Sequence, residues 1–279
     1  MYKNINNDKY IEIEQPQNLA RADCFVVEDG DKTYIFFEEF IIEPNRKGYL
    51  SVGELDTKNN KIINIQKVLE KEYHLSYPFI FKYKNEWYMI PETHSNKTID
   101  LYKFTSFPYK VEKIRTLIDD IDAVDTTLLL KDDVVYLFTN VKKDNKTHNE
   151  NLSIFYSEDL LSGKFIEHPK NSIKTDNKYA RMAGSIIEED DKYYRIAQDC
   201  SITYGSCMYK FEIEELSKTK YKEKLVEIVY PPKGCNASHT FSKSKNFEVV
   251  DVIKNENLFG MIRNFIKLIF IIPKKVLNV

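Results

Sequence analysis

The sequence has few cysteines, almost no net charge and no apolar segment at its N-terminus, and each shortage excludes a class of protein. Its four cysteines form no Cys-x-x-Cys pair, which excludes the usual spacing of zinc and dithiol redox sites, and we expect free thiols at Cys24, Cys200, Cys207 and Cys235. A net charge of −2 gives no overall field that attracts nucleic acid, so we expect no nucleic-acid partner. Residues 1–18 carry neither the apolar core nor the cleavage site of a secretory signal, which favours a cytoplasmic location.

Aromatic residues are abundant instead, with 19 tyrosines and 17 phenylalanines, and this composition favours strands over helices. Four segments share an apolar run, a polar turn and an aromatic-rich run: residues 24–39, 78–93, 127–140 and 185–199. Each segment contains a tyrosine, and these tyrosines recur at intervals of about 50 residues: Tyr34, Tyr88, Tyr136 and Tyr194. Two further strand patterns follow each segment. The period is typical of the four-stranded blades of a β-propeller.

A fifth, weaker unit at 238–253 extends the pattern, and few helical stretches interrupt the five units. The sequence therefore predicts an all-β fold, a five-bladed β-propeller within residues 1–255, followed by a C-terminal tail at 256–279. The early strand KYIEIEQ, residues 9–15, is the candidate that closes the ring by joining the last blade.

Polar residues cluster where each predicted blade begins and where its second strand ends. In a propeller the first strand of every blade lines the central channel, so these positions meet at one mouth. The predicted catalytic residues are Asp23, Asp125 and Asp199, and the predicted substrate-binding residues are Arg21, Glu39, His74, Tyr77, Glu92, Arg181, Arg195, Gln198, Tyr204 and His239. Such groups suit a hydroxyl-rich or phosphorylated ligand. The alternative is that they pair with one another or are solvated loop residues.

Other motifs in the sequence are weak. An Asp-x-Asp pattern at 120–122 matches the diphosphate-binding motif of metal-dependent glycosyltransferases, but it occurs in a chain with 43 acidic residues. His74, His94 and His239 have no helical metal-binding spacing, so no metal ion or other cofactor is predicted. Glu38, Glu39 and Glu92 end second strands and are alternative candidates for an acid or a base.

The C-terminal tail differs in character from the rest. Over Leu258–Lys275 a helical projection gathers the polar residues on a narrow face and places the apolar residues elsewhere. Its apolar stretch spans about 22 Å as a helix, less than the ~30 Å core of a bilayer. We therefore expect an amphipathic helix that lies in the membrane interface. A helix packed on the propeller or in a dimer is the alternative.

Several of these segments resemble a known family. The segments RMAG (181–184), KYYRIAQDCS (192–201), HLSYPFIF (74–81) and MIPET (89–93), with the pair Tyr204-Gly205, are similar to the N-terminal domain of plant glucosamine inositolphosphorylceramide transferase and its bacterial relatives. In those plant proteins a separate C-terminal domain resembles a glycosyltransferase fold, which we do not find in this sequence. The resemblance implies a propeller in a glycan or glycolipid setting and leaves open whether the propeller catalyses.

A more distant resemblance is to five-bladed propeller glycosidases of the arabinanase and xylosidase type. Asp23 and Asp125 are similar to their channel aspartates, of which one acts as the base on water and the other orients the acid. The general acid of those enzymes is a glutamate that leads into a later blade. The corresponding segment here, 180–185, contains no glutamate, so the two-carboxylate scheme of hydrolysis is incomplete.

Together these patterns favour a carbohydrate-active enzyme of surface polysaccharide or glycolipid synthesis, such as bacterial capsule or lipopolysaccharide, that transfers a sugar. Its expected partners are a nucleotide-sugar or sugar-phosphate donor and a glycan or glycolipid acceptor. We expect it to lie on the inner face of the cytoplasmic membrane, held there by the tail. Two alternatives stay open: a glycoside hydrolase or phosphorylase, and a non-catalytic glycan-binding module.

Overall fold

The computed structural model describes residues 1–7, 9–16, 18–43, 47–143 and 146–254, which form five antiparallel sheets arranged as blades. Blade 1 contains β2 (Leu19–Asp29), β3 (Lys32–Ile41), β4 (Tyr49–Asp56) and β5 (Lys61–Leu69), and blade 2 contains β6 (Ser76–Tyr83), β7 (Glu86–Thr93), β8 (Thr98–Ser106) and β9 (Lys110–Asp119). Blade 3 contains β10 (Ala123–Lys131), β11 (Val134–Val141), β12 (Leu152–Ser157) and β13 (Ile166–Glu167), and blade 4 contains β14 (Ile187–Glu189), β15 (Lys192–Gln198), β16 (Met208–Leu216) and β17 (Tyr221–Val229). Blade 5 contains β18 (Phe241–Lys243), β19 (Phe247–Val250) and β1 (Tyr2–Asn4).

The predicted all-β, five-bladed propeller is thus confirmed. Within the described ranges the helical elements are two 3₁₀ turns, His94–Asn96 and His148–Glu150, and no helix there is long and apolar enough to cross a membrane. The four cysteines are free thiols, as expected. The predicted amphipathic helix at Leu258–Lys275 lies outside the described residues.

The N-terminus closes the ring, but through a shorter strand than the sequence suggested. β1 pairs with β19, and Ile11 then pairs with Tyr2 through two backbone hydrogen bonds of 2.9 and 2.6 Å. Residues Tyr2–Asn4 are therefore the third strand of blade 5, while the KYIEIEQ segment contributes only its bridge at Ile11. The Tyr2 ring is buried in a cluster with Phe247 and Val249 of β19, and this packing holds β1 against the second strand of the blade.

Burial follows the position of each strand in its blade. The second strands of blades 1 and 2 are buried almost throughout because the neighbouring blades cover both of their faces. The outermost strands expose polar side chains: lysines and glutamates on β9 and β17, and Lys61, Lys67 and two amide side chains on β5. Charged side chains on these edges disfavour pairing with other strands. In blades 1, 2 and 4 these edges correspond to the second of the two strand patterns that follow each tyrosine-marked segment of the sequence.

A bulge recurs near the start of the first strand in blades 1, 2 and 3. The pairing register shifts there, and the bulges hold Asp23, Tyr77 and Asp125 at positive φ values of 52°, 44° and 54°. Positive φ is strained for residues other than glycine and is found disproportionately at functional sites. A bulge also redirects the side chain that it carries. These three bulges turn their side chains from the sheet into the centre of the ring.

Candidate functional site

A polar cleft of about 520 Å³ lies at one mouth of the propeller. All five blades contribute to it through their first strands, their second-strand ends or the connections between them. Its polar and charged lining residues are Arg21, Asp23, Glu38, His74, Ser76, Glu92, Asp125, Arg181, Tyr204, His239 and Asp251. The structure therefore brings together eight of the thirteen residues that the sequence predicts for the site.

Asp23 sits in the deepest part of the cleft within a dense hydrogen-bond network. Its Oδ1 accepts from the Thr240 hydroxyl at 2.8 Å and lies 3.2 Å from Nε2 of His239, while its Oδ2 accepts from the Tyr77 backbone N–H at 3.2 Å. Burial alone would raise the pKa of Asp23, but the hydrogen bonds from His239 and Thr240 lower it below its usual value. Asp23 is therefore a fixed negative charge in a largely dehydrated site.

Arg181 faces Asp125 across the cleft. Its Nε forms a short ion pair with Asp125 Oδ2, its Nη1 donates to Asn149 Oδ1 at 2.9 Å, and its guanidinium lies over the Tyr204 ring at 5.7 Å. Burial and the charge of Asp23 raise the pKa of Asp125 despite the contact with Arg181. A buried cation held among a carboxylate, an amide and an aromatic ring is a suitable anchor for a phosphate or an acidic sugar.

Glu92 is the third carboxyl group of the cluster. Its Oε2 accepts from the Asp125 backbone N–H at 3.3 Å, and only 8% of the residue is exposed. Burial and the nearby charge of Asp125 raise the pKa of Glu92 well above its usual value. Three carboxyl groups in one buried space repel one another when they ionise, so the site favours the protonated form of Glu92 and the ionised form of Asp23.

Comparison with known proteins places the sequence in a family. Over residues 6–261 it matches the family described as glucosamine inositolphosphorylceramide transferase 1, N-terminal. It is 35% identical over 227 residues to glucosamine inositolphosphorylceramide transferase 1 of rice (Oryza sativa subsp. japonica), a match that covers 80% of this chain and 30% of that protein. The chain belongs to this family. The protein of the same name from Arabidopsis thaliana is 32% identical over 221 residues, which are 77% of this chain and 28% of that protein. The chain thus spans about three tenths of the plant proteins' length.

Two solved structures with a similar fold are named α-L-arabinofuranosidases. An α-L-arabinofuranosidase from Clostridium thermocellum superposes with a TM-score of 0.57 at 13% identity, covering 82% of this chain and 80% of that one. The catalytic domain of an α-L-arabinofuranosidase from Coprinopsis cinerea also gives 0.57, at 8% identity and 85% coverage of both chains. At such identities the likeness concerns the fold, and it confirms the predicted relation to glycosidase-type propellers at that level.

Five predicted site residues lie outside the cleft of this member of the glucosamine inositolphosphorylceramide transferase family. Arg195 is fully buried, and its Nε and Nη2 donate to the two carboxylate oxygens of Glu223 at 2.7 Å each. Arg195 lies within β15 and is enclosed by the sheet packing, whereas Arg181 lies in the connection before β14 and reaches the mouth. The structure therefore does not bring Arg195 to the ligand-binding end.

The other four have local partners. The Asp199 carboxylate accepts from the Tyr209 hydroxyl at 2.8 Å, and the Gln198 amide donates to the Met182 carbonyl at 3.3 Å. Glu39 lies behind the cleft, where it pairs with Arg21 at 3.2 Å.

The Tyr77 hydroxyl has a bridging position. It donates to the Gly184 carbonyl and accepts from the Gly184 N–H, both at 2.9 Å, and it lies 2.8 Å from the Thr127 hydroxyl. Gly184 has φ +112°, and a Cβ there would overlap the Phe241 carbonyl, so only glycine fits. Tyr77 thus connects blades 2, 3 and 4 at the centre of the ring, directly below the cleft.

Asp251 is the charged cleft residue that sequence reasoning missed, and the uncharged Ser76 is another lining residue that it did not predict. The Asp251 carboxylate accepts from the backbone N–H groups of Asp23, His239 and Thr240 at 3.0, 3.1 and 2.9 Å. Asp251 follows the second strand of blade 5, as Glu38 and Glu92 end the second strands of blades 1 and 2. An acidic residue near the end of the second strand recurs in blades 1 and 2, so the same position in the fifth unit could have been predicted from the sequence.

We expect His239 to make stability depend on pH. Its Nε2 lies 3.2 Å from Asp23 and 3.1 Å from Asp251. Burial would lower the pKa of His239, but these two carboxylates raise it to about 9. The proton is therefore bound more tightly in the folded state, so its stabilisation is complete below about pH 6.5 and is lost as pH rises through about 9, a loss of about 3 kcal/mol.

Urea unfolding at several pH values between about 6 and 10 would measure this loss. His239→Gln should be less stable than the wild type at the acidic end, and its stability should fall less as pH rises. Equal slopes for the two proteins would show that the His239 proton does not stabilise the fold.

Proposed function

We propose that this propeller is a carbohydrate-active enzyme that transfers a sugar in the synthesis of a glycolipid or surface glycan. The observation that carries the proposal is the cluster of Asp23, Glu92, Asp125 and Arg181, in which three buried carboxyl groups and a partly buried guanidinium line one cleft. The names of the plant relatives suggest an amino-sugar donor and an inositolphosphorylceramide-type acceptor.

Each charged residue of the cleft has a separate role in the proposed transfer reaction, and its charge determines that role. Arg181 holds the donor phosphate and stabilises its negative charge as the bond from the anomeric carbon to the phosphate oxygen breaks. Asp23, which stays ionised, stabilises the positive charge that develops at the anomeric carbon. Asp125, whose pKa is raised, accepts the proton of the acceptor hydroxyl as its oxygen bonds to that carbon. The leaving phosphate keeps the bonding electron pair.

A hydrolase or phosphorylase is the second candidate, and Glu92 favours it. The sequence lacks a glutamate at the start of blade 4, where the resembling glycosidases place their acid. Glu92, from the end of β7, supplies a protonated carboxyl group to the same cleft. A two-carboxylate mechanism of hydrolysis is then chemically complete, with the acid coming from a different blade.

The proposed setting is the cytoplasmic face of a membrane, with the tail at Leu258–Lys275 as the contact. Support for this setting comes from the amphipathic pattern of the tail and from the glycolipid in the relatives' names. A glycan-binding module without turnover is the third candidate, and the mutational test in the Discussion separates it from the two enzymes.

Arg181→Ala should lower the affinity for nucleotide sugars or sugar phosphates about tenfold or more, because it removes charge-assisted hydrogen bonds to the phosphate. Calorimetric titration of a panel of these ligands measures the effect. Arg115→Ala is the matched control, since Arg115 lies on the outer strand of blade 2 and donates to the Gly163 carbonyl. Asp125 can take up a proton when Arg181 is lost, so the melting temperature should change little. Unchanged affinity together with a large loss of melting temperature would assign Arg181 a structural role and contradict the proposal.

A further inference from the structure

Two histidines and an aspartate converge on the rim of the cleft from three separate loops. Nε2 of His148 lies 2.6 Å and Nδ1 of His94 lies 3.5 Å from Oδ1 of Asp122, and one ligand atom from each residue falls within 4.8 Å of the others. The two imidazole rings are 5.3 Å apart and inclined at 68°. In a tetrahedral site with bonds of about 2.1 Å the ligand atoms are about 3.4 Å apart, so small side-chain shifts suffice to surround one ion.

The backbone fixes each of the three residues. His94 begins the 3₁₀ turn that follows β7, and His148 begins a second 3₁₀ turn whose capping box joins Thr147 and Glu150. Asp122 is held on both sides, because Ile121 N–H donates to the Lys97 carbonyl and Lys142 N–H donates to the Asp122 carbonyl, each at 2.9 Å. Because backbone hydrogen bonds or a capped turn hold each of the three residues, their side chains form a preorganised arrangement.

The surroundings are those of a metal ligand set. Nε2 of His94, the nitrogen that faces away from Asp122, points toward the Glu92 carboxylate at 3.8 Å. Ligating histidines commonly direct their second nitrogen at a carboxylate, which fixes the orientation of the ring. The side chains of His94, Asp122 and His148 are 32%, 34% and 21% exposed, so solvent or a ligand can reach a fourth position.

We propose that His94, Asp122 and His148 bind one divalent transition-metal ion of the zinc class. Two imidazoles and one carboxylate suit zinc, and three protein ligands with an accessible fourth position are typical of zinc sites that hold a water or a substrate atom. The site adjoins the cleft at two points: His94 lies beside Glu92, and Asn149, next to His148, accepts from Arg181. The ion would add positive charge beside the guanidinium, where a phosphate oxygen could take its fourth position. This inference goes beyond the proposed function, which uses no metal.

The test is metal binding by the full chain, purified without a histidine tag and treated with a chelator. Calorimetric titration with Zn²⁺ should show one ion per chain, and the ion should raise the melting temperature because it binds the folded state. His148→Ala and Asp122→Asn should each weaken Zn²⁺ binding at least tenfold while they leave the circular dichroism spectrum of the metal-free protein unchanged.

The matched control is His74→Ala, which removes another histidine of the same mouth and should keep wild-type affinity. Titration with Co²⁺ distinguishes the ligand type: visible d–d bands without a thiolate charge-transfer band are expected, whereas thiolate absorption would assign the metal to the cysteines and overturn the proposal. The proposal also fails if the wild type binds no stoichiometric Zn²⁺, or if His74→Ala weakens binding as much as His148→Ala.

Discussion

Replacing Arg195 by methionine should lower the free energy of unfolding by about 3 kcal/mol, because the partly exposed Lys174 ammonium, 3.3 Å away, is then the only cation beside the buried Glu223 carboxylate among the described residues. Arg195 is completely buried, and Glu223 is 2% exposed in its side chain. The Tyr179 carbonyl accepts a further hydrogen bond from Nη2 at 3.0 Å, and the Phe211 ring lies 4.8 Å from the guanidinium. The pair therefore stabilises the packing between β15 and β17 rather than a ligand.

The matched variant for this prediction removes both charges. Arg195→Met combined with Glu223→Leu should recover most of the lost stability, because similar apolar volume can replace a buried ion pair at little cost. Urea unfolding of the wild type, the single variant and the double variant measures both effects. If the single variant unfolds like the wild type yet loses affinity for sugar phosphates, Arg195 belongs to the ligand site and its structural assignment is wrong.

The contrast between Arg181 and Arg195 shows where sequence reasoning reaches its limit. Both arginines flank the same predicted hairpin, and the repeat of Tyr34, Tyr88 and Tyr194 correctly located that hairpin in a propeller blade. Arg195 lies within a strand and pairs with Glu223 two strands away, whereas Arg181 lies in the connection before the hairpin and reaches the mouth. Local periodicity contains neither piece of information.

The positions that line the mouth were predictable because propeller geometry repeats. Asp23 and Asp125 lie near the start of their first strands and Arg181 precedes the first strand of blade 4, so their convergence follows from the blade pattern. Their charge states could not be read from the pattern, since they depend on distances between blades. The pKa of Glu92 is raised because the residue is buried beside Asp125, and the bulges at Asp23 and Asp125 that create this proximity leave no clear mark in the sequence.

The metal-ligand candidates illustrate the same limit. His94, Asp122 and His148 come from three loops of two blades and are separated by more than twenty residues each, so no spacing motif joins them. Sequence reasoning considered His94 together with His74 and His239, which the fold places elsewhere around the mouth. Only the arrangement of the blades identifies the correct set.

Asp23→Asn should lower the rate of sugar transfer about 10²–10³-fold, because it removes a preorganised negative charge from the site where positive charge develops. Ligand affinity should change only a few-fold, since Asn keeps an acceptor for the Thr240 hydroxyl and Asp251 still pairs with His239. Turnover is measured with a nucleotide-activated amino sugar and an inositol-phospholipid acceptor, and binding is measured by calorimetry on the same samples.

Glu92→Gln, assayed in parallel, decides between the three candidate functions. In transfer from a phosphate donor the leaving group needs no proton, so Glu92→Gln should cost much less than Asp23→Asn. In hydrolysis the leaving sugar oxygen must be protonated, so the loss of Glu92 should itself lower the rate about 10²–10⁴-fold. A binding module would show no turnover in the wild type and retained affinity in both variants.

Glu39→Gln, which changes a glutamate behind the cleft, is the control that should keep wild-type turnover. Wild-type turnover in Asp23→Asn would remove Asp23 from the mechanism and refute the transfer scheme, because that scheme assigns the stabilisation of the developing positive charge to Asp23 alone.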